Sequence, residues 1–593
     1  MLNYGIIGNS KTSALVSSKG SIDWLCFPIF SSPSAFAKIL DEEKGGEFSI
    51  TPVGDYRITQ KYIKNTNVLE TAFKGKKVAF RVIDFFPFYK EDGKIKNMEE
   101  LHRLFTVDKG KPVLRICYNP KLDYARSATK LRVAKNSIVA TNGSHKLHLY
   151  SNLELKTIGK GDLSIATDSF FILGWDKAKG ERSISFVQEE KKKTIKYWRD
   201  YVEGIPAPKF QGDALIRSAL LIKLLSFRDS GGVVASATTS IPEVAGGRLN
   251  WDKRYCWVRD QRLAIEAFSH LRMFDEMDRV LEFLTSVGTA YMMEDGRHGF
   301  GMQGFYGPDG NSFLKEETLE HLTGYEDSVP VRIGNDAYLQ RNISVFGEML
   351  DAIYKFLLAH GSVESITESH PALVEHLVGY VRKHWREKDR GAWEFRTLDE
   401  EFTYSKLMAW VAIDRGIKVI KMFYPLYPMK NLKLIRDEIR ESIIENYNEN
   451  ARAFTLFKGS DKLDMSLLSM SKYGFLEPDD RRFVNTVKAT EKELKVGPFS
   501  KIHKVDDGFG TPKNAYMFPT MCLIDALTEI GEEKKARILF EKVLRFSNHL
   551  GIYSECIDLL TLELLGNFPS ASAHMGIIST ISRLYGGEVE NEP

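Results

Sequence analysis

The sequence predicts a two-part chain, an antiparallel β-sandwich followed by a helical domain that closes into a barrel. Three observations carry this reading. Apolar residues alternate with a period of two before about residue 190 and recur at helical spacing after about residue 211, so strands and helices are segregated. At 593 residues the chain is too long for one ordinary core. No strict short repeat is visible in the helical part, which favours a closed barrel over a solenoid.

The β reading rests on local patterns. Leu147, Leu149, Leu153 and Leu155 share one parity, which gives a strand one apolar face. Residues 78–86 are rich in β-branched and aromatic side chains, and Pro87 ends that run. Turn signals recur at Asp92-Gly93 and Asn142-Gly143. The charged stretch 189–201 predicts a connecting helix, and Pro206 and Pro208 mark a boundary after it. Beyond Gln211, Leu263, Ala267, Leu271, Phe274, Met277, Leu281 and Leu284 fall at helical spacing. Similar runs cover 345–358, 373–385, 406–420, 432–447, 483–494, 516–527 and 534–546, about a dozen helices in all. The domains predicted are a β-sandwich over 1–188, a helical linker over 189–211 and the barrel over 212–593, with only residues 589–593 reading as a tail.

Composition narrows the function. A net charge of +3, from 82 basic and 79 acidic residues, argues against a nucleic-acid partner, which selects a clustered basic excess. The cysteines Cys26, Cys117, Cys256, Cys522 and Cys556 are odd in number, widely spaced and without a CxxC pair. They predict neither a zinc site nor a disulfide framework, and they favour a reducing compartment. The N-terminus does not read as a signal peptide, and no apolar run approaches the roughly 18 residues of a membrane span. A cytoplasmic location and a substrate available inside the cell are expected. A homo-oligomer is compatible with the sequence.

Three loop segments are dense in Trp, Arg, Asp, Glu and Tyr, and loops on rigid scaffolds concentrate binding residues. In the first, Asn250-Trp-Asp-Lys-Arg-Tyr-Cys-Trp-Val-Arg-Asp260, aromatics suit the apolar faces of sugar rings while Arg and Asp suit their hydroxyls. The same residues suit a helix entry capped by Asp260 with Trp257 in the core, and composition leaves the two readings even. The second, Gly391-Ala-Trp-Glu-Phe-Arg396, sets a carboxylate between aromatics, an environment that favours the protonated form a general acid needs. The third, Gly551-Ile-Tyr-Ser-Glu555 with Gly566-Asn-Phe-Pro569 beyond it, places Glu555 after a turn. Taken singly, each glutamate reads as a surface or capping residue. Gly5-Ile-Ile-Gly8 is no dinucleotide fingerprint, phosphate-loop and HExxH motifs do not occur, and His574 reads as structural rather than as a ligand.

Together these segments resemble glycoside hydrolase family 15, the glucoamylase and trehalase family, in its intracellular prokaryotic branch. The resemblance runs in order through Gly20-Ser-Ile-Asp-Trp-Leu-Cys-Phe-Pro28, Gly231–Glu243, Trp251–Asp260, Pro330-Val-Arg-Ile-Gly-Asn335, Trp393-Glu394, Ser405–Arg415, Gly474–Asp480, Tyr553–Asp558 and Leu565-Gly-Asn-Phe-Pro569. It implies a β-sandwich, a helical linker and an (α/α)6 barrel, with inversion at the anomeric carbon and no metal or organic cofactor. Glu394 matches the general acid and Glu555 the general base. Arg259 and Asp260 match residues that hold the terminal glucose, with Tyr255, Arg332 and Trp393 as neighbours. An inverting pair stands roughly 6.5–9.5 Å apart to admit water, so a closed tertiary structure must join glutamates this remote in the chain. The chain departs from the family pattern at Asn342, Ser344, Lys513-Asn514, Met521-Cys522 and Cys556, positions that bear on the substrate. The expected activity is exo-hydrolysis of α-1,4-glucan or malto-oligosaccharide ends, with α,α-trehalose hydrolysis as the close alternative and an inactive carbohydrate-binding homologue as a third reading.

Overall fold

The computed structural model describes residues 2–175, 182–293, 301–361 and 369–586; the expected tail at 589–593 lies outside them. Strands fill the chain up to Gly174. One antiparallel sheet runs in the order 4–8, 13–17, 22–26, 47–52, 113–119, 162–164, with 34–36 paired to 22–26. The other runs 130–133, 138–142, 145–151, 169–174, 100–109, 79–85, 69–74, 57–62. Their inner faces meet as a sandwich, where the ring of Phe48 meets the edge of Phe171 at 5.6 Å between centroids. Arg103 crosses the same layer, fully buried, paired to Asp84 at 2.7 Å and donating to the carbonyl of Phe48. Removing one member of such a pair strands a buried charge, at a cost of about 3–5 kcal/mol.

The expected strand at 78–86 is Ala79–Phe85. The run through Leu155 is shorter than its parity suggests. The strand is His145–Ser151, with Leu147 and Leu149 buried, while Leu153 and Leu155 fall in a bend and a 3-10 turn. The turn follows because Ser151 and Asn152 spend their side chains on the backbone of Phe170 and so close the loop locally.

The linker helix α1 is Ile184–Val202; Ser183 caps it by accepting from the amide of Phe186, which starts it five residues earlier than the charged run implied. Eleven further helices follow among the described residues: α2 Gly212–Leu225, α3 Val258–His270, α4 Phe274–Met293, α5 Ser344–His360, α6 Ser369–His384, α7 Thr403–Phe423, α8 Lys430–Ile444, α9 Arg481–Leu494, α10 Met517–Glu529, α11 Glu533–Leu544 and α12 Ala571–Tyr585. The apolar run from Leu263 to Leu284 is thus two helices. Arg272, at φ 57°, breaks it although Leu271 and Phe274 keep its spacing. α3, α5, α7, the 3-10 turn Met465–Ser469, α10 and α12 touch in sequence, and α12 returns to α3, which closes an inner ring. α2, α4, α6, α8, α9 and α11 pack outside it. This is the (α/α)6 barrel, one inner segment reduced to a single turn.

Sandwich and barrel share one continuous apolar core. The indole N–H of Trp24 donates to the carbonyl of Ala237 at 2.8 Å. The buried Arg254 reaches back from the barrel to the carbonyl of Ser32 at 3.0 Å and to the hydroxyl of Tyr124 at 2.8 Å. The β domain therefore supports the loops at one mouth of the barrel.

Candidate active site

Three loops meet over that mouth. The first approaches α3. Cys256–Trp257 pairs with Phe305–Tyr306, and the helix starts at Val258, so Arg259 and Asp260 occupy its first turn. The second joins α6 to α7. Asp389 organises it by accepting from the amides of Ile343 and Gly391 and from the hydroxyl of Ser405. Glu394 sits there at φ 57°, a strained left-handed conformation for a residue other than glycine. The third joins α11 to α12, where Glu555 precedes the short strand Cys556–Ile557. Its amide donates to the carbonyl of Asn567, and its carbonyl accepts from the amide of Met517.

Glu394 and Glu555, 161 positions apart in sequence, line the same cavity. Arg259, Asp260 and Trp393 line it with them. The indole N–H of Trp257 donates to Oε1 of Glu394 at 2.5 Å. Oε2 of Glu555 accepts from the amide of Asn567 at 3.2 Å, and its Oε1 lies 3.7 Å from the ammonium of Lys253. Arg259 donates to the carbonyl of Ala392 at 2.7 Å and faces Asp260 at 3.7 Å. Burial pushes the Asp260 carboxyl up, helped by the charges of Glu394 and Glu555 and opposed by Arg259 and Lys253. Trp393 donates to Asp464 at 2.9 Å, which fixes its ring against the cavity. Its neighbour Phe395 turns into a small cluster and stacks on Phe402.

Tyr255 and Arg332 do not line this cavity. Tyr255 is buried beside Trp257 against the ring of Phe305 and donates to Asp252, and these contacts hold it behind the pocket wall. Arg332 pairs with Glu316 at 3.0 Å and places its guanidinium 4.6 Å from the ring centre of Trp251. Glu316 also holds Arg396, whose guanidinium lies 4.4 Å from the same ring. Trp251 and Arg396 do line the cavity, so Arg332 bears on the pocket through them.

Sequence reading singled out neither Lys253, Glu243 nor Tyr516, yet all three line the cavity. Glu243 is buried and accepts from the hydroxyl of Tyr516. Burial, then the charge of Glu555, pushes its carboxyl up to about 8. Burial pushes the pKa of the Lys253 ammonium down, but neighbouring carboxylates, Glu555 foremost, outweigh it and raise it above the ordinary lysine value. The signal was proximity in sequence: Lys253 lies inside the aromatic segment, and Glu243 ends the preceding loop.

The departures from the family pattern are also placed. The side chain of Asn342 donates to the carbonyl of Gly391, and Ser344 donates to Asn342, so both brace the Glu394 loop. Asn514 donates to the carbonyl of Glu243 at 2.9 Å. Met521 and Cys522 line a second, smaller cavity that shares Arg259, Ala392 and Trp393 with the first.

The chain is similar to known proteins over nearly its whole length. The chain is 33% identical over 98% of its length to a trehalase of Thermoplasma volcanium, covering 93% of that protein. It is 32% identical to trehalase 2 of Sulfolobus acidocaldarius, with 98% of this chain and 99% of that one covered. A Mycobacterium tuberculosis trehalase is 32% identical, with 99% and 90% covered. Among solved structures, a bacterial glucoamylase complexed with acarbose shares the fold at a TM-score of 0.71 and 13% identity, over 99% of this chain and 94% of that one. A trehalase-like N-terminal family model matches residues 3–162, and the model for glycosyl hydrolases family 15 matches residues 209–511. The chain belongs to glycosyl hydrolases family 15, and it is an enzyme that hydrolyses glycosidic bonds.

Proposed function

We propose that the enzyme hydrolyses α,α-trehalose to two glucose molecules with inversion at one anomeric carbon. The observation that carries the chemistry is the presence of Glu394 and Glu555 on one cavity wall system, each held by its own hydrogen bond. The choice of substrate rests on the relatives, which are named trehalases across nearly the whole chain. This reverses the order of the sequence reading, which put malto-oligosaccharide ends first.

Protonated Glu394 donates to the glycosidic oxygen as the C1–O bond breaks. Ionised Glu555 takes a proton from water as that water's oxygen bonds to C1 from the opposite face. One glucose leaves as the β anomer and its partner as the α anomer. Arg259 and Asp260 hold hydroxyls of the first ring, and Trp393 offers it an apolar face. Tyr255 and Arg332 act from behind, through Asp252 and Trp251. The reaction needs no metal or organic cofactor. A cytoplasmic setting suits five cysteines that are all free.

The test is incubation of the purified chain with trehalose and, separately, with maltotriose. Glucose release from trehalose is expected. Turnover of maltotriose alone would return the reading to a glucoamylase, and binding of either sugar without turnover would mark an inactive homologue.

A further inference from the structure

Two carboxyls, the buried Glu243 and the half-buried Glu555, line one side of the cavity. The amide of Gly566 donates to the carbonyl of Pro242 at 2.8 Å, and Asn567 beyond it holds Glu555, so the two acidic segments are tied to each other. Tyr516 bridges them as well. Its hydroxyl donates to Glu243, and its backbone pairs with Cys556, the residue after Glu555. The charge of Glu555 is felt at Glu243, and two carboxylates that interact do not both ionise readily. Hydrolysis with inversion needs the charge on Glu555.

Lys253 supplies the asymmetry. Its carbonyl accepts from the amide of Ser236 at 2.9 Å, which pins the backbone. Its neighbours Asp252 and Arg254 pair with each other at 2.6 Å, leaving Lys253 to face the cavity. The ammonium stands 3.7 Å from Oε1 of Glu555 and 4.6 Å from the ring centre of Trp257, the indole that donates to Glu394. The other charged or titratable groups around Glu555 are accounted for. Asp260 faces Arg259, Glu394 lies across the cavity on Trp257, Asp507 accepts from the amide of Arg396, and the Cys556 thiol and Tyr516 hydroxyl are held neutral by burial.

We propose that Lys253 is a positioning residue that assigns the negative charge of this side of the cavity to Glu555 rather than to Glu243, and so sets the acidic limit of hydrolysis. Glu243 is then a neutral acid that accepts from Tyr516. This inference rests on the hydrolytic reading of the glutamate pair.

The test is the pH dependence of kcat/KM in the full chain, on the α-glucoside the wild type turns over. In Lys253→Met the acidic limb moves up by about one to three pH units, the usual effect of losing an opposite charge at this range. Lys253→Arg keeps the limb near the wild-type position even where kcat falls. In Lys253→Met/Glu243→Gln the limb returns part of the way, because the competing carboxyl is gone. Thermal unfolding confirms that each variant is folded, and Lys253→Gln replaces the Met variant if that one is not. An unmoved limb in the neutral variant, or an equal shift in Lys253→Arg, overturns the role of Lys253. A double variant that stays with the single one overturns the role of Glu243. A wild type inactive on every α-glucoside refutes the hydrolytic reading itself, whereas an active wild type with unmoved limbs refutes only this inference.

Discussion

A Cβ placed on Gly566 would stand 2.8 Å from the Cβ of Glu555 and 3.2 Å from its Oε2. The backbone there is left-handed, with φ 72°. Gly566 thus lets the chain pass against Glu555 and present the next amide, Asn567, to its carboxylate. In Gly566→Ala the left-handed backbone costs about 1–2 kcal/mol, and the methyl group displaces Glu555. A displacement of about 1 Å at a reacting group costs on the order of 10²-fold in rate. Steady-state kinetics should therefore show kcat lower by about 10²-fold with a modest fall in Tm. Unchanged kcat would mean that the placement of Glu555 does not limit the reaction.

Glu394→Gln and Glu555→Gln should each lower kcat on the natural substrate by about 10²–10⁴-fold, the usual worth of an acid or base, with little change in Tm. The two roles separate on α-glucosyl fluoride, whose leaving group departs without a proton. Glu394→Gln should recover much of its activity on the fluoride and Glu555→Gln should not. Proton NMR of the first product from the fluoride should show β-glucose. Equal recovery in both variants, or α-glucose first, would contradict the assignment.

Much of this architecture can be read from the residues, and the failures have physical causes. The strand at 79–85 is legible because it is rich in β-branched and aromatic side chains, most of which the fold buries. The break between α3 and α4 is hidden because Leu271, Phe274 and Met277 continue the helical spacing while a single positive-φ residue turns the chain. Glu394 and Glu555 are indistinguishable from surface glutamates until the ordered family segments are considered together. Lys253 and Glu243 escape notice for a different reason. Their importance lies in a meeting between loops before α3 and before α12 that no local pattern encodes. Tyr255 and Arg332 belong to the right segments, but the bond to Asp252 and the Glu316 bridge leave them behind the wall.

Arg254 joins the two domains, and its loss should be felt in stability first. Its guanidinium holds both oxygens of Asp252, at 2.9 and 2.6 Å, with both side chains essentially without solvent exposure. Asp252 in turn accepts from the amide of Gly334 and the hydroxyl of Tyr255. Arg254→Met leaves that carboxylate buried and unpaired, at about 3–5 kcal/mol. Urea unfolding at pH 7 should show a loss of this size. Arg254→Met/Asp252→Asn should recover a large part of it, since the stranded charge is removed. If the double variant is no better than the single one, the loss comes from packing and not from charge.

His574 predicts how the enzyme responds to acid. It lies fully buried on α12, its Nδ1 2.9 Å from the hydroxyl of Ser218 on α2, and its Nε2 accepts from the amide of Tyr553. That arrangement needs a neutral ring with its proton on Nδ1. Burial, then the charge of Arg217, lowers its pKa from 6.5 to about 3. The unfolded chain binds a proton near 6.5 and the folded chain does not until about 3, so the unfolded state holds more protons between those values. Stability from this group is therefore complete above about pH 6.5 and declines as the pH falls toward 3, by at most about 1.4 kcal/mol per pH unit. His503, lowered by burial to about 4, adds in the same direction. His574→Gln should be less stable at pH 7 but should lose stability more slowly between pH 6.5 and 4, as measured by denaturant midpoints at each pH. Because Tyr553 lies two residues before Glu555, acid inactivation of the wild type should track this unfolding below pH 5. Parallel pH profiles for wild type and variant would show that His574 takes up its proton at the same pH in the folded and unfolded chain, and that the bond to the Tyr553 amide does not hold its ring neutral.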